Sequence, residues 1–508
     1  MLQEYGESQL NTSKLIFRKT IRTDPPRLAS QDGSFAKYQA ARRQHWNSVS
    51  EWMAHHKSWG GYYHRRLSAV YGLNIPAGSN VLEIGCAQGD LLASLKPAYG
   101  LGIDISEKMI EQACSRHPQL HFLLLDAHEL DLDVDISFDY IILSDLLNDL
   151  WDIQFVFERI RRYTNPHTRI LINNYSRLWE LPLLLAEKLG LANPNLFQNW
   201  LTIEDVVNLL DLSGYEPVRS WHELLFPLDV PFLSSFCNQF LVKFFPFSQL
   251  ALTNFLVARP KIMPEQMVSN PSVSIIIPAR NEAGNIQSIF EHTACLDCQT
   301  DYIFVEGGST DNTQQEIKEQ IERHPELACT LLQQTGTGKG NAVREGFQHA
   351  AGEILVILDA DLTVPVFYLE RFYQAIASGK GDFINGVRLV YPLEKQSMKW
   401  LNFLGNKFFS LAFSWLLGQP IKDTLCGTKV LWKTDYEKIV KNRSYFGNFD
   451  PFGDFDLLLG AAKLDLKIMD MPIRYRERMY GTTNIQRWKH GWLLLKMTWL
   501  AARRLKFV

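Results

Sequence analysis

Ile354-Leu355-Val356-Ile357-Leu358-Asp359-Ala360-Asp361 sets two carboxylates directly behind five aliphatic residues, and Leu362-Thr363-Val364-Pro365 follows. An apolar run this short, closed by polar residues and proline, predicts a central parallel strand with the acids at its C-terminal end. Two carboxylates withdrawn from water there need a compensating cation. Mg²⁺ or Mn²⁺ suits such a hard oxygen site, and Mg²⁺ is often shared between one or two carboxylates and a substrate's phosphates. The stretch therefore predicts Asp359 and Asp361 as metal ligands beside a nucleotide sugar.

Short apolar runs alternate with helical patterns around this point, at 273–277, 302–305, 330–332, 354–358 and 383–385. An earlier series covers 80–84, 100–103, 121–125, 140–143 and 169–172. Each alternation predicts an α/β sheet with helices on both faces. A chain of 508 residues exceeds one ordinary core. We expect two Rossmann-like α/β domains in tandem, at 61–258 and 273–508. Residues 259–272 contain three prolines and little apolar periodicity, so they are expected to form a linker. Residues 1–60 are expected to form a polar extension ending in a Trp/His-rich helical stretch (Trp46, Trp52, His55, His56, Trp59).

The net charge of −3 hides an asymmetry. Residues 1–260 hold 23 Lys+Arg against 28 Asp+Glu, and residues 261–508 hold 29 against 27. From Met471 onward nine basic residues face one acidic residue, Glu477. Such a tail can attract an anionic membrane or nucleic acid. The acidic first half argues against nucleic acid as partner. The seven cysteines include one C-x-x-C, Cys295 and Cys298, without a second pair at zinc spacing, so ordinary thiols are expected. The polar, mixed-charge start predicts no secretory signal, and a cytoplasmic location follows. Runs 244–258 and 408–421 are too short and too polar to span a bilayer.

In the first half, Val81-Leu82-Glu83-Ile84-Gly85-Cys86-Ala87-Gln88-Gly89-Asp90 reads as a strand, a glycine turn and a helix start. Asp104 closes the next strand, where an acid commonly takes a ribose hydroxyl pair. Positions 85, 87 and 90 are Gly, Ala and Asp, so the dinucleotide pattern fails, and Asp90 would repel a pyrophosphate. A cofactor with ribose, adenine and a cationic centre suits this acidic surround better. The segment resembles class I S-adenosylmethionine-dependent methyltransferases, whose first motif is E-x-G-x-G-x-G, with Ala87 in place of the middle glycine. The resemblance implies that Glu83, Gly85 and Gly89 shape the pocket and Asp104 holds the ribose. It also implies that Asp126 and Ala127 face the adenine, while Ser144 and Asp145 line the methyl-transfer end. Asn173-Asn174-Tyr175-Ser176 could equally position the acceptor or be ordinary loop. Residues 224–257, rich in Phe, Leu and Pro, read as a lid, an interface or plain core.

In the second half, Pro278-Ala279-Arg280-Asn281-Glu282 follows the first strand, and Glu306-Gly307-Gly308-Ser309-Thr310-Asp311 follows the second. Gly336-Thr337-Gly338-Lys339-Gly340-Asn341 is a flexible loop with one cation, and its spacing excludes a Walker motif. With the acidic pair, these four pieces in order resemble family 2 glycosyltransferases of the GT-A fold, most closely the polyprenyl-phosphate sugar transferases. The resemblance implies that Pro278, Arg280, Glu282, Glu306 and Asp311 surround the nucleotide with Lys339. Asp359 and Asp361 would bind metal and diphosphate. Segments 386–388, 423–429 and 474–483 match the acceptor side, with Arg388, Lys399 and Arg478 as candidate phosphate contacts. Asp454 or Asp456 would approach the sugar or cap a helix. Segments 398–417 and 488–508 interleave Trp, Phe and Leu with basic residues, as interfacial helices do.

These readings imply a bifunctional, membrane-peripheral enzyme. One half would pass a hexose to a polyprenyl phosphate with inversion, and the other would methylate an unidentified glycan- or lipid-pathway substrate. Two alternatives stand beside it: a sugar hydroxyl as acceptor, which would need a carboxylate base, and a non-catalytic methyltransferase-like scaffold.

Overall fold

The computed structural model describes residues 33–55, 61–132, 136–188, 196–262, 268–292, 296, 298–391, 400–442, 453–476, 478, 480 and 487–507. The chain divides into two units, Met1–Pro260 and Lys261–Val508.

The first unit holds seven strands: β1 (Asn80–Ile84), β2 (Tyr99–Asp104), β3 (His121–Leu124), β4 (Tyr140–Ser144), β5 (Arg169–Tyr175), β6 (Tyr215–Glu223) and β7 (Thr253–Pro260). They lie in the order β3-β2-β1-β4-β5-β7-β6. All pairs are parallel except those made by β7, which runs antiparallel to β5 and β6. The central strands are apolar because helices cover both faces; Val81, Tyr140 and Val257 face one cluster, and Leu82, Ile141 and Leu256 the other. The expected linker is corrected at its first two residues. Arg259 and Pro260 belong to β7, where buried Arg259 lies opposite Glu216 in register and pairs with it (Nη2–Oε1 2.6 Å).

The second unit also has seven strands: β8 (Val273–Ala279), β9 (Thr300–Glu306), β10 (Ala328–Gln333), β11 (Ile354–Ile357), β12 (Phe383–Val387), β13 (Lys429–Trp432) and β14 (Ile468–Pro472). Their order is β10-β9-β8-β11-β13-β12-β14. The apolar run before Asp359 is central as expected. It is parallel to β8 on one side, and on the other it is antiparallel to β13.

Both sheets reverse their strand order in the middle, at β1/β4 and at β8/β11. Ligands of open α/β sheets bind outside the C-terminal strand ends at such a switch point. The loops after β1 and β4, and those after β8 and β11, are therefore where the chemistry belongs.

Candidate active sites

The loop after β1 turns on Gly85 and Gly89, with φ of +78° and +75°. Side chains other than glycine rarely adopt this region. A Cβ at Gly89 would also stand 2.6 Å from the Phe122 ring. Glu83 lies beneath the loop, buried, and accepts a hydrogen bond from Leu92 N at 3.1 Å, so it shapes the turn from below. Asp104, at the end of β2, accepts from Ala87 N at 2.9 Å and Ser106 N at 2.8 Å. Burial pushes its carboxyl up to about 6 against those two bonds. Asp90 opens the helix Asp90–Ser94 and pairs with Arg116 (2.9 Å) and His117 (2.8 Å). Asp126 caps the turn Ala127–Glu129 through His128 N and holds His128 Nδ1 at 2.7 Å. Ser144 ends β4 half-buried.

Next to Ser144, Asp145 adopts φ +55° and sits in a polar cluster. Tyr63 Oη donates to both of its oxygens at 2.8 Å, and Asn173 Nδ2 donates at 2.5 Å. Tyr71 Oη in turn donates to Asn173 Oδ1 at 2.7 Å. Burial raises the Asp145 carboxyl to about 7. Tyr63 and Tyr71 come from the helix Gly61–Asn74 and were not legible as site residues.

The helix Ser34–His55 closes over the same strand ends. Gln39 Nε2 donates to Asp126 Oδ2 at 2.9 Å, Arg42 pairs with Asp149 at 2.7 Å, and Trp46 Nε1 donates to Asp149 Oδ2 at 2.9 Å. Asn47 Oδ1 accepts from Ser106 Oγ at 2.6 Å. Of the expected Trp/His stretch, Trp46 takes part; His56 and Trp59 lie outside the described residues.

In the second unit the loops after β8, β9 and β11 meet. Glu282 is buried, accepts from Asn285 Nδ2 at 2.7 Å, and faces Arg478 Nη1 at 3.2 Å. Burial raises its carboxyl to about 7 although Arg478 draws it down. Glu306 accepts from Ser309 N at 2.6 Å and Gln333 Nε2 at 2.7 Å, so it braces the glycine turn that follows. Asp311 accepts from Thr313 N at 3.0 Å and from Tyr480 Oη at 3.3 Å. Pro278 is half-buried at the end of β8, and Arg280 is exposed beside it.

Both acids follow β11, each with a chain cation attached. Lys339, at the start of the helix Lys339–His349, contacts Asp359 Oδ1 at 2.5 Å. Burial works to raise the Asp359 carboxyl, and the Lys339 ammonium overcomes it and holds the group below its ordinary range. Asp361 accepts from Thr363 Oγ1 at 2.8 Å and pairs with Arg478 Nη2 at 2.6 Å. Gly427 is required here, because a Cβ would overlap Asp359 Oδ2 and Lys339 Nζ. Arg388 is held by Asp423, with Nε–Oδ2 2.7 Å and Nη2–Oδ1 2.9 Å, and its charge still helps to lower the Asp359 carboxyl. Asp454 opens the helix Asp454–Lys463, whose cap is Gly453; a Cβ there would lie 2.9 Å from Gly340 Cα, so this helix starts beside the Lys339 loop. The side chain of Asp454 and residues Lys399, Glu477, Met479 and 481–483 lie outside the described residues, and Asp456 is half-buried. Among the described residues, no cluster of three or more His, Cys, Asp or Glu side chains is arranged as a metal site.

Residues 274–439 match the family described as Glycosyl transferase family 2, and residues 75–213 match Methyltransferase domain. The chain joins a methyltransferase domain to a family 2 glycosyltransferase domain. The two folds are the class I methyltransferase and GT-A folds in tandem. The glycosyltransferase domain is 25% identical over 284 residues to a dolichyl-phosphate β-glucosyltransferase of Trichomonas vaginalis, covering 49% of this chain and 81% of that protein. It is 26% identical over 244 residues to the dolichyl-phosphate β-glucosyltransferase of Saccharomyces cerevisiae, covering 43% and 71%. Among solved structures, magnesium protoporphyrin IX methyltransferase from Synechocystis PCC 6803, with bound S-adenosylhomocysteine, matches 44% of this chain and 99% of its own at 16% identity and a TM-score of 0.30.

Proposed function

We propose that the glycosyltransferase domain moves a hexose from a nucleotide diphosphate sugar to a polyprenyl phosphate, with inversion, and that the methyltransferase domain uses S-adenosylmethionine. The observation that carries the first part is the convergence of Glu282, Lys339, Asp359, Asp361 and Arg478 at one sheet switch point. Relatives named for dolichyl-phosphate transfer support the acceptor. Two carboxylates supply hard oxygen donors, which fits Mg²⁺ or Mn²⁺ completed by diphosphate oxygens. Asp359 and Asp361 would hold the ion, which supplies charge neutralisation for the leaving diphosphate. Lys339 and Arg478 lie within reach to add to that neutralisation. A lipid phosphate brings its own nucleophilic oxygen, so alignment rather than a strong base is what the site must supply. Removing divalent cations with a chelator should end sugar transfer and leave methyl transfer unchanged, read by mass spectrometry of both products. Sugar transfer that survives the chelator would refute the metal role.

Contact with a membrane is part of this reading. Among the described residues no helix is long and apolar enough to cross one. The helix Arg487–Leu505 buries Leu494, Met497 and Ala501 and turns Trp492, Leu495 and Trp499 outward. The helix Trp400–Leu417 exposes Leu404, Phe408 and Leu411 at the same helical spacing. Lys496 and Arg503 are exposed on the first of these. Apolar faces with basic neighbours lie in the bilayer interface.

In the methyltransferase domain, the glycine loop and Asp104 fit the ribose of S-adenosylmethionine, which supplies an activated methyl group on a sulfonium. Asp104 would accept from the ribose hydroxyls as a carboxylate. Its carboxyl lies at about 6 before ligand binds, so the anion is lost as pH falls through that value. Cofactor affinity should thus hold between pH 7 and 8 and fall about tenfold per pH unit below 6. Calorimetric titration across pH checks this, and Asp104→Asn should be weaker throughout and flat with pH.

A further inference from the structure

We propose that the Phe- and Leu-rich face of the first unit docks onto a lipid bilayer, so that the methyltransferase domain meets its acceptor at a membrane. This rests on the reading that the sugar acceptor is a membrane lipid. The face has two pieces. The helix Glu180–Lys188 turns Leu181, Leu184 and Leu185 outward. Segment 228–250 turns out Phe232 at 91% and Phe245 at 82% exposure. Trp179 Nε1 donates to Leu250 O at 3.0 Å and joins the pieces. Of the twelve exposed residues from Pro231 to Leu250, ten are apolar, and the exceptions are Ser235 and Gln249. Apolar exposure on this scale marks an interaction site rather than scattered surface residues.

Ser234, Asn238 and Lys243 of the segment point the other way. Ser234 Oγ donates to Leu228 O at 2.6 Å, and Asn238 Nδ2 donates to Phe226 O at 2.7 Å and Tyr62 Oη at 3.0 Å. Lys243 and Arg66 both pair with buried Glu223, and Asp229 pairs with Arg65. The bonds of Ser234, Asn238, Lys243 and Arg66 anchor the segment from beneath while its rings face outward; the Arg65–Asp229 pair stays at the surface, 65% and 61% exposed. That arrangement chooses the occupant. A protein interface of ordinary size carries about ten direct hydrogen bonds. From Pro231 to Leu250 the one charge, Lys243, is spent on buried Glu223, and the exposed surface is almost wholly apolar, which suits hydrocarbon. Binding here should depend little on lipid charge or salt, unlike binding through the basic helix of the second unit.

The test is flotation of the full chain with vesicles of pure phosphatidylcholine at high salt. The unmodified chain should float with them. A variant carrying Leu181→Ser, Phe232→Ser and Phe245→Ser, at positions 76%, 91% and 82% exposed, should lose about tenfold or more of that binding. Its thermal unfolding should be unchanged. A second variant, Lys496→Gln with Arg503→Gln and Arg504→Gln, should keep neutral-vesicle binding and lose only the gain seen with phosphatidylglycerol. Loss of that gain alone concerns the second unit, so the two readings fail separately. The proposal is overturned if the first variant floats like the unmodified chain, or if the unmodified chain ignores phosphatidylcholine. It is equally overturned if the unmodified chain is a dimer that the first variant dissociates.

Discussion

Asp359→Asn is expected to lower sugar transfer on the order of 10²–10³-fold, the scale seen when one preorganised charge-stabilising group is removed. Asn keeps the shape of the side chain, so the effect isolates the charge. Without the anion, Lys339 loses its partner at 2.5 Å and a divalent cation loses one of two carboxylate donors. Methyl transfer, built on the other sheet, should be unchanged. Parallel assays of both products on one preparation check this. Equal loss of both activities would show that the two domains do not work as independent sites.

Asp423→Ala should destabilise the second unit by about 3–5 kcal/mol, the range for breaking a buried ion pair by removing one partner. Asp423 is fully buried, and its partner Arg388 is 12% exposed on the side chain. Asp423 also accepts from Arg388 N at 3.1 Å and Leu425 N at 3.0 Å, so three groups lose an acceptor together. Calorimetric unfolding of the full chain would show the lower transition. A change below about 1 kcal/mol would mean that water reaches Arg388 and the pair behaves as an exposed one. Arg388, a candidate for acceptor or diphosphate contact, is held bidentately by Asp423 in the loop before β13.

The strand ends with acids were the legible part of this chain. Apolar runs before Asp104, Glu306 and Asp359 announce themselves because parallel strands buried on both faces leave no polar alternation. The strands that escaped notice are those that break this rule. Lys429 opens β13 fully buried, its Nζ donating to Asn385 Oδ1 at 3.0 Å, so a charge stands where the pattern should be apolar. Pro217 interrupts β6 next to a register shift. In β7, Arg259 is buried through its pairing with Glu216, which made the strand's end look like linker. The segment read as a polar extension with a Trp/His-rich helical end forms the helix Ser34–His55, on which Gln39, Arg42 and Trp46 share one face; polar faces ordinarily meet solvent. That face is spent on Asp126 and Asp149 instead. The partners of Asp145 were also hidden, since Tyr63 lies 82 residues away in the chain.

The most direct test of the two-carboxylate site is anomalous diffraction from crystals soaked with Mn²⁺ and a nucleotide diphosphate sugar. A manganese peak at about 2.1 Å from a carboxylate oxygen of both Asp359 and Asp361, with Arg478 drawn off Asp361 toward the diphosphate, is the predicted result. A bound nucleotide with no manganese at that strand end, and Lys339 and Arg478 still on their carboxylates, would contradict it.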